Sequence, residues 1–145
     1  MPLIGETKVL GLFKTKKKIQ QATILVVDDE PDLVSTVEYR LKFANYNVIT
    51  ASNGQEGLDR AKSDQPDLIL LDTNMPVMSG HEVLATLRAD PAIKDIPVIM
   101  VTARCEAQDI AAASAHGVSD YVTKPFDFGD LMTKIQAVLT TGKRR

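Results

Sequence analysis

Tryptophan is absent from the chain and cysteine occurs once, as Cys105. A lone thiol permits no disulfide within the chain, so stability has to come from a packed core, and this usage suits a reducing compartment. No apolar run approaches the ~20 residues that cross a bilayer, so no membrane span is expected. A secretory signal is also missing: the N-terminal lysines follow the first apolar residues, and no long apolar centre exists. Only two histidines occur, His81 and His116; they share no ligand cluster and read as surface residues. The 145 residues are enough for one domain with a proper core.

The net charge of −2 hides a division. Residues 1–21 carry Lys8, Lys14, Lys16, Lys17 and Lys18 against Glu6, a net +4, and Lys143, Arg144 and Arg145 close the chain at +3. Residues 22–142 hold 9 basic and 18 acidic residues, a net −9. An acidic body argues against direct nucleic-acid binding by the domain. The expected organisation is a basic leader or linker over 1–21, one domain over 22–141 and a basic tail over 142–145. The leader reads as a flexible segment. A basic amphipathic anchor built on Val9, Leu10, Leu12 and Phe13, or docking on the acidic body, remains an alternative.

Ala22–Val27, Asp67–Asp72 and Pro97–Thr102 contain short apolar runs of the kind that form strands buried on both faces. Val48–Thr50 and Asp120–Thr123 are two more short strands. Helical spacing follows each strand. Pro31 opens a helix with Leu33, Val34, Val37, Leu41 and Ala44 inward. Asn53 caps a second helix that runs to Gln65, with Leu58 and Ala61 inward; Gly54 and Gly57 weaken it. Ser79 and Glu82 form a capping box ahead of Val83, Leu84 and Leu87, and Asp90-Pro91 ends that helix. A fourth helix is expected over Cys105–His116, with Gly117 at its end, and a fifth over Phe128–Leu139 with Leu131, Ile135, Val138 and Leu139 inward. Five β-α units imply an α/β fold: a doubly wound, five-stranded parallel sheet of order 2-1-3-4-5.

In such a sheet all strand C-termini share one edge. Asp28 and Asp29 end the first strand, Asp72 the third, Thr102 the fourth, and Lys124 follows the fifth. Each alone has an ordinary reading as a cap or turn residue, but the joint pattern is far more specific. Three carboxylates in one place repel and need compensation, which a hard divalent cation such as Mg²⁺ provides through oxygen ligands. A metal, an ammonium, a hydroxyl and a carboxylate around one point are the components of phosphoryl transfer, with an Asp as nucleophile.

These segments resemble the signatures of the response-regulator receiver domain of two-component signalling, the CheY-like group with a flavodoxin-like sheet. The resemblance rests on Val26-Val27-Asp28-Asp29-Glu30, Leu70-Leu71-Asp72-Thr73-Asn74-Met75-Pro76, Val101-Thr102-Ala103 and Tyr121-Val122-Thr123-Lys124-Pro125-Phe126, and it covers about residues 22–141. It implies that Asp72 accepts a phosphoryl group from a phosphohistidine on a sensor histidine kinase or phosphotransfer protein. Asp28, Asp29, Asp72 and the backbone carbonyl of Asn74 would hold Mg²⁺, or Mn²⁺ in its place, with Asp28 acting largely through water. Lys124 would contact the phosphoryl group, with a cis bond to Pro125. Thr102 and Tyr121 would form the switch, and Ala103 would leave the site open. Asn74 and Arg104 would set the rate of slow self-dephosphorylation. Such a protein is cytoplasmic and is no enzyme toward other substrates, since it catalyses only its own phosphorylation and dephosphorylation.

The predicted fourth helix carries Ile110 and Ala115 where many DNA-binding members carry charges, which puts their charged dimer in doubt and leaves a weak homodimer as the expectation. Met75 and Met78 read as loop packing. The chain ends soon after the fifth predicted helix. The expectation is therefore a stand-alone receiver or an excised piece of a longer protein, acting on a downstream partner or on an effector domain outside this chain. Two rivals fit less well. A phosphatase with an Asp nucleophile would need a second Asp where Asn74 stands. An FMN-binding module would need a hydroxyl-rich loop after the first strand, where Asp28-Asp29-Glu30 would repel a phosphate.

Overall fold

The apolar runs form the centre of a five-stranded sheet. A computed structural model describes residues 21–103 and 117–141. The leader before Gln21, Arg104, the predicted helix 105–116 and the tail 142–145 lie outside the described residues. In chain order the elements are β1 (Thr23–Val27), α1 (Pro31–Phe43), β2 (Asn47–Ala51), α2 (Gly54–Asp64), β3 (Leu68–Asp72), α3 (Gly80–Ala89), β4 (Val98–Thr102), β5 (Asp120–Thr123) and α4 (Phe128–Thr141). All strand pairs are parallel and their order is β2-β1-β3-β4-β5, as the alternation of strands and helices predicts.

Alternate residues of the central strands feed two cores. Leu25, Val27, Ile69, Leu71, Val98 and Met100 pack with Leu58 and Ala61 of α2 and with Val83, Leu84 and Leu87 of α3. Ile24, Val26, Leu68, Leu70, Ile99 and Val101 pack with Val37 and Leu41 of α1 and with Leu131, Ile135 and Val138 of α4. Leu33, Val34 and Leu139 are half-buried against the second core. Burial on both faces is why these strands read as unbroken apolar runs rather than alternating ones.

The predicted caps are present. The Asn53 side chain accepts from the Glu56 amide at 2.8 Å, and Gln65 ends α2 in the left-handed conformation. Ser79 Oγ accepts from the Glu82 amide at 3.2 Å, while Glu82 Oε1 accepts from the Ser79 amide at 2.9 Å. Asn47, one residue before the expected strand Val48–Thr50, begins β2: its amide donates to the Ala22 carbonyl and its side chain to the Gln21 carbonyl. At the end of α3, the Arg88 guanidinium donates to the carbonyls of Lys94, Ile96 and Gly117, tying the helix to the segments before β4 and β5.

Gly54 and Gly57 are placed by packing rather than tolerated as weak points. A Cβ on Gly57 would lie 2.9 Å from Cγ2 of Val27, and one on Gly54 would lie 2.7 Å from Cγ2 of Val83. Both valines are buried and short, so neither neighbour yields easily. Ala exceeds Gly in helix propensity by about 1 kcal/mol, but overpacking of a filled core costs about 1–3 kcal/mol. Packing wins, and Gly57→Ala is expected to lower the urea unfolding midpoint by an equivalent of roughly 1 kcal/mol instead of raising it.

Candidate functional site

Register carries the polar residues to one edge. Val27 pairs with Leu71, so Asp28 and Asp72 follow at the same level on β1 and β3. Asp72 pairs with Val101, so Thr102 lies one step further along β4. Thr102 pairs with Thr123, and the Lys124 amide donates to the Thr102 carbonyl at 2.7 Å. The peptide bond from Lys124 to Pro125 is cis, as expected. Asp28, Asp72 and Thr102, at 5%, 3% and 5% exposure, are the buried polar or charged side chains among the described residues. They stand on three neighbouring strand ends.

Carboxylate oxygens of Asp28, Asp29 and Asp72 all lie within 4.8 Å of one another. Lys124 Nζ sits among the acids, 3.0 Å from Asp28 Oδ2 and 3.5 Å from Asp72 Oδ1. Its shortest contact is to Glu30 Oε1, at 2.7 Å. The Asn74 amide donates to Asp72 Oδ1 at 3.2 Å, and the Glu30 amide to Asp28 Oδ1 at 2.9 Å. Burial, and then the charge of Asp28, push the Asp72 carboxyl up to about 6, against the opposing pull of the Asn74 amide and Lys124. Burial disfavours the charge of Lys124, but its bonds to Glu30 and Asp28 and the charges of Asp72 and Asp28 outweigh that, and its pKa is raised. The ammonium therefore stays charged, and the Asp72 carboxyl keeps its proton to a higher pH than an ordinary carboxylate does.

Of the other predicted residues, Asn74 and Ala103 are exposed, and Tyr121 is half-buried against the first core. Met75 is buried and Met78 partly buried in that core, so both serve packing. His81 is neither fully buried nor fully exposed. Arg104 and His116 lie outside the described residues.

Three contributors are not apparent from local sequence. Glu30, which follows the strand-end acids Asp28 and Asp29, reaches Lys124 across 94 positions. Gly80 lets α3 start against the end of β3, because a Cβ there would strike the backbone carbonyl oxygen of Asp72. Val77, fully exposed, takes φ 71° in the loop after Asp72, where the Met78 amide donates to the Pro76 carbonyl at 2.7 Å. That conformation is uncommon for a β-branched residue. The Ser79-Gly80 pair and the loop after Asp72 were the available signals for the last two; only tertiary pairing identifies the first.

Two outcomes test this geometry. Gly80→Ala is expected to destabilise by roughly 3 kcal/mol in urea titration and to shift the amide resonance of Thr73, which packs on the same turn. The raised Asp72 pKa also has a definite sign. The folded chain binds the Asp72 proton more tightly than the unfolded one, so this residue's contribution to stability is lost as pH rises from 4 through about 6. In metal-free buffer Asp72→Asn is expected to be more stable than wild type by about 1–2 kcal/mol at pH 8, with the difference vanishing below pH 4.

Comparison with known proteins gives the same frame. Over 116 residues the chain is 40% identical to the alkaline phosphatase synthesis transcriptional regulatory protein PhoP of Bacillus subtilis and to the response regulator ArlR of Staphylococcus aureus. The aligned stretch covers 80% of this chain, and 48% and 52% of those proteins, so the chain spans about half the length of these curated relatives. Among solved structures, Vibrio cholerae chemotaxis protein CheY4 superposes with a TM-score of 0.78 at 33% identity, covering 81% of this chain and 98% of that one. A CheY-like receiver domain protein from Methanospirillum hungatei gives 0.79 at 28% identity, covering 84% and 96%. The family model for the response regulator receiver domain matches residues 24–136. That match runs from β1 into α4 and takes in every strand end described above, and the chain belongs to the family of response regulator receiver domains.

Proposed function

We propose that Asp72 is the phosphoacceptor of a two-component phosphorelay. The observation that carries this reading is one buried carboxylate at the end of the central strand, with two further carboxylates and an ammonium within reach. An Asp72 carboxylate oxygen attacks phosphorus in line. The P–O bond to Asp72 forms as the P–N bond of a phosphohistidine breaks, and the leaving imidazole takes up a proton. In self-dephosphorylation, water attacks phosphorus, inorganic phosphate leaves and the carboxylate returns.

The donor set fits Mg²⁺, or Mn²⁺ in its place. Asp28, Asp29, Asp72 and the Asn74 carbonyl offer hard oxygen atoms, and carboxylate oxygens of the three acids lie within 4.8 Å of one another. When bound, the cation supplies positive charge against the three acids and the phosphoryl oxygens. Lys124 places a permanent positive charge at the same edge and donates to the phosphoryl oxygens. Thr102 supplies a hydroxyl that moves toward the phosphoryl group, and Tyr121 changes rotamer with it. The added charge biases a two-state switch. Asn74 and Arg104 control how readily water reaches phosphorus.

The donor is a sensor histidine kinase or phosphotransfer protein. Output is altered binding to a downstream protein or an effector domain, without direct nucleic-acid contact by this acidic body and with at most a weak homodimer. The chain acts in the cytoplasm and turns over no other substrate. No helix among the described residues is long and apolar enough to cross a membrane.

Incubation with acetyl phosphate and Mg²⁺ followed by intact-mass measurement is expected to show one phosphoryl adduct on the wild type. Asp72→Ala and chelation with EDTA should each abolish it, and Lys124→Ala should slow it by about tenfold or more. No adduct on the wild type, or an undiminished adduct on Asp72→Ala, overturns the reading.

A further inference from the structure

Lys124 is not aimed chiefly at the acceptor it is meant to serve. Its Nζ lies 2.7 Å from Glu30, 3.0 Å from Asp28 and 3.5 Å from Asp72. We propose that Glu30 is a displaceable anion that shares Lys124 with Asp72 and Asp28 until a phosphoryl group arrives, and so restrains the phosphorylation rate. This rests on the phosphoacceptor reading above and adds a positioning residue to it.

Two features of Glu30 support the assignment. It is the N-cap residue of α1, yet its side chain makes no cap bond; the carboxylate crosses to the β5 end instead. Its own amide is satisfied by Asp28 Oδ1, so the carboxylate can leave without stranding that donor. Exposure separates the partners as well. The Glu30 side chain is 60% exposed, whereas those of Asp28, Asp72 and Lys124 are 6%, 4% and 17% exposed. Asp28 and Asp72 sit on strand ends in the interior and cannot follow the ammonium outward. Glu30 can rotate into water at little cost, because an exposed carboxylate recovers full hydration.

The competition follows from charge. The single positive charge of Lys124 is divided among three carboxylates. A phosphoryl group arriving at Asp72 brings more negative charge than Glu30 and meets Lys124 in a site that water reaches poorly, so it outcompetes the exposed acid. Until then Glu30 holds the ammonium and repels an anionic donor. A purely structural ion pair predicts something different: its loss would change stability slightly and leave the rate alone.

The test compares wild type, Glu30→Gln, Lys124→Ala and the double variant. Acetyl phosphate and Mg²⁺ are used across a range of donor concentrations, with intact mass as the readout. In this reaction the acetyl P–O bond breaks, acetate leaves and the bond from phosphorus to Asp72 forms. Glu30→Gln is expected to raise the rate roughly two- to fivefold, and to change nothing in the Lys124→Ala background. In metal-free protein the Lys124 ammonium signal in ¹⁵N spectra should exchange faster with solvent in Glu30→Gln. An unchanged or slower rate overturns the proposal, as does an acceleration that persists without Lys124 or an unaltered ammonium signal. Absence of an adduct on every protein sinks the phosphoacceptor reading itself and this proposal with it, a result distinct from an adduct that forms equally fast with and without Glu30.

Discussion

Asp28 and Asp72 are held out of water on neighbouring strand ends, and their repulsion is the constraint around which the site is arranged. Burial of an ionised carboxylate is unfavourable, and a second one alongside makes it worse. The chain answers with the Lys124 ammonium and with backbone amides from Asn74 and Glu30. These leave the Asp72 carboxyl near 6, so compensation is incomplete without further positive charge. Added positive charge, from a proton or a cation, would relieve the repulsion that remains.

Rigidity of the sheet makes that arrangement dependable. The two cores on either face fix β1, β3 and β4 in register, and a shift of one residue would turn each strand-end acid to the opposite face. Gly57 brings α2 close over Val27, and Gly80 lets α3 begin directly against the carbonyl of Asp72. The loop from Asp72 to Ser79 is thereby short and tightly held, with Met75 inserted into the core and Val77 at an exposed left-handed apex. Packing that stabilises the domain also positions its chemistry.

Much of this was legible in the residues. The apolar runs, the caps at Asn53 and Ser79 and the order of elements predict the sheet, and the strand-end positions of Asp28, Asp29, Asp72, Thr102 and Lys124 predict their convergence. Local signals failed where a residue's role depends on a distant partner. Gly54 and Gly57 look like defects when helix propensity is considered alone, because the valines that exclude a Cβ lie elsewhere in the chain. Arg88 looks like a surface charge at a helix end, yet it gathers three carbonyls from two other segments. Asn47 precedes the apolar strand residues, yet its amide bond to the Ala22 carbonyl and its register opposite Thr23 draw it into β2.

Sequence by itself determined the fold class, the strand order to expect and the set of polar residues brought to one edge. Periodicity and strand ends are local properties, and a parallel sheet has only one side for its C-termini. Tertiary structure alone decided how those residues divide the charge among themselves. It buried Asp28 and Asp72 while leaving Glu30 in solvent, and it set Lys124 nearer to Glu30 than to Asp72. The physical reason is that electrostatic energy depends on separation and on access to water, and both are fixed only when five strands and the segments after them are brought together.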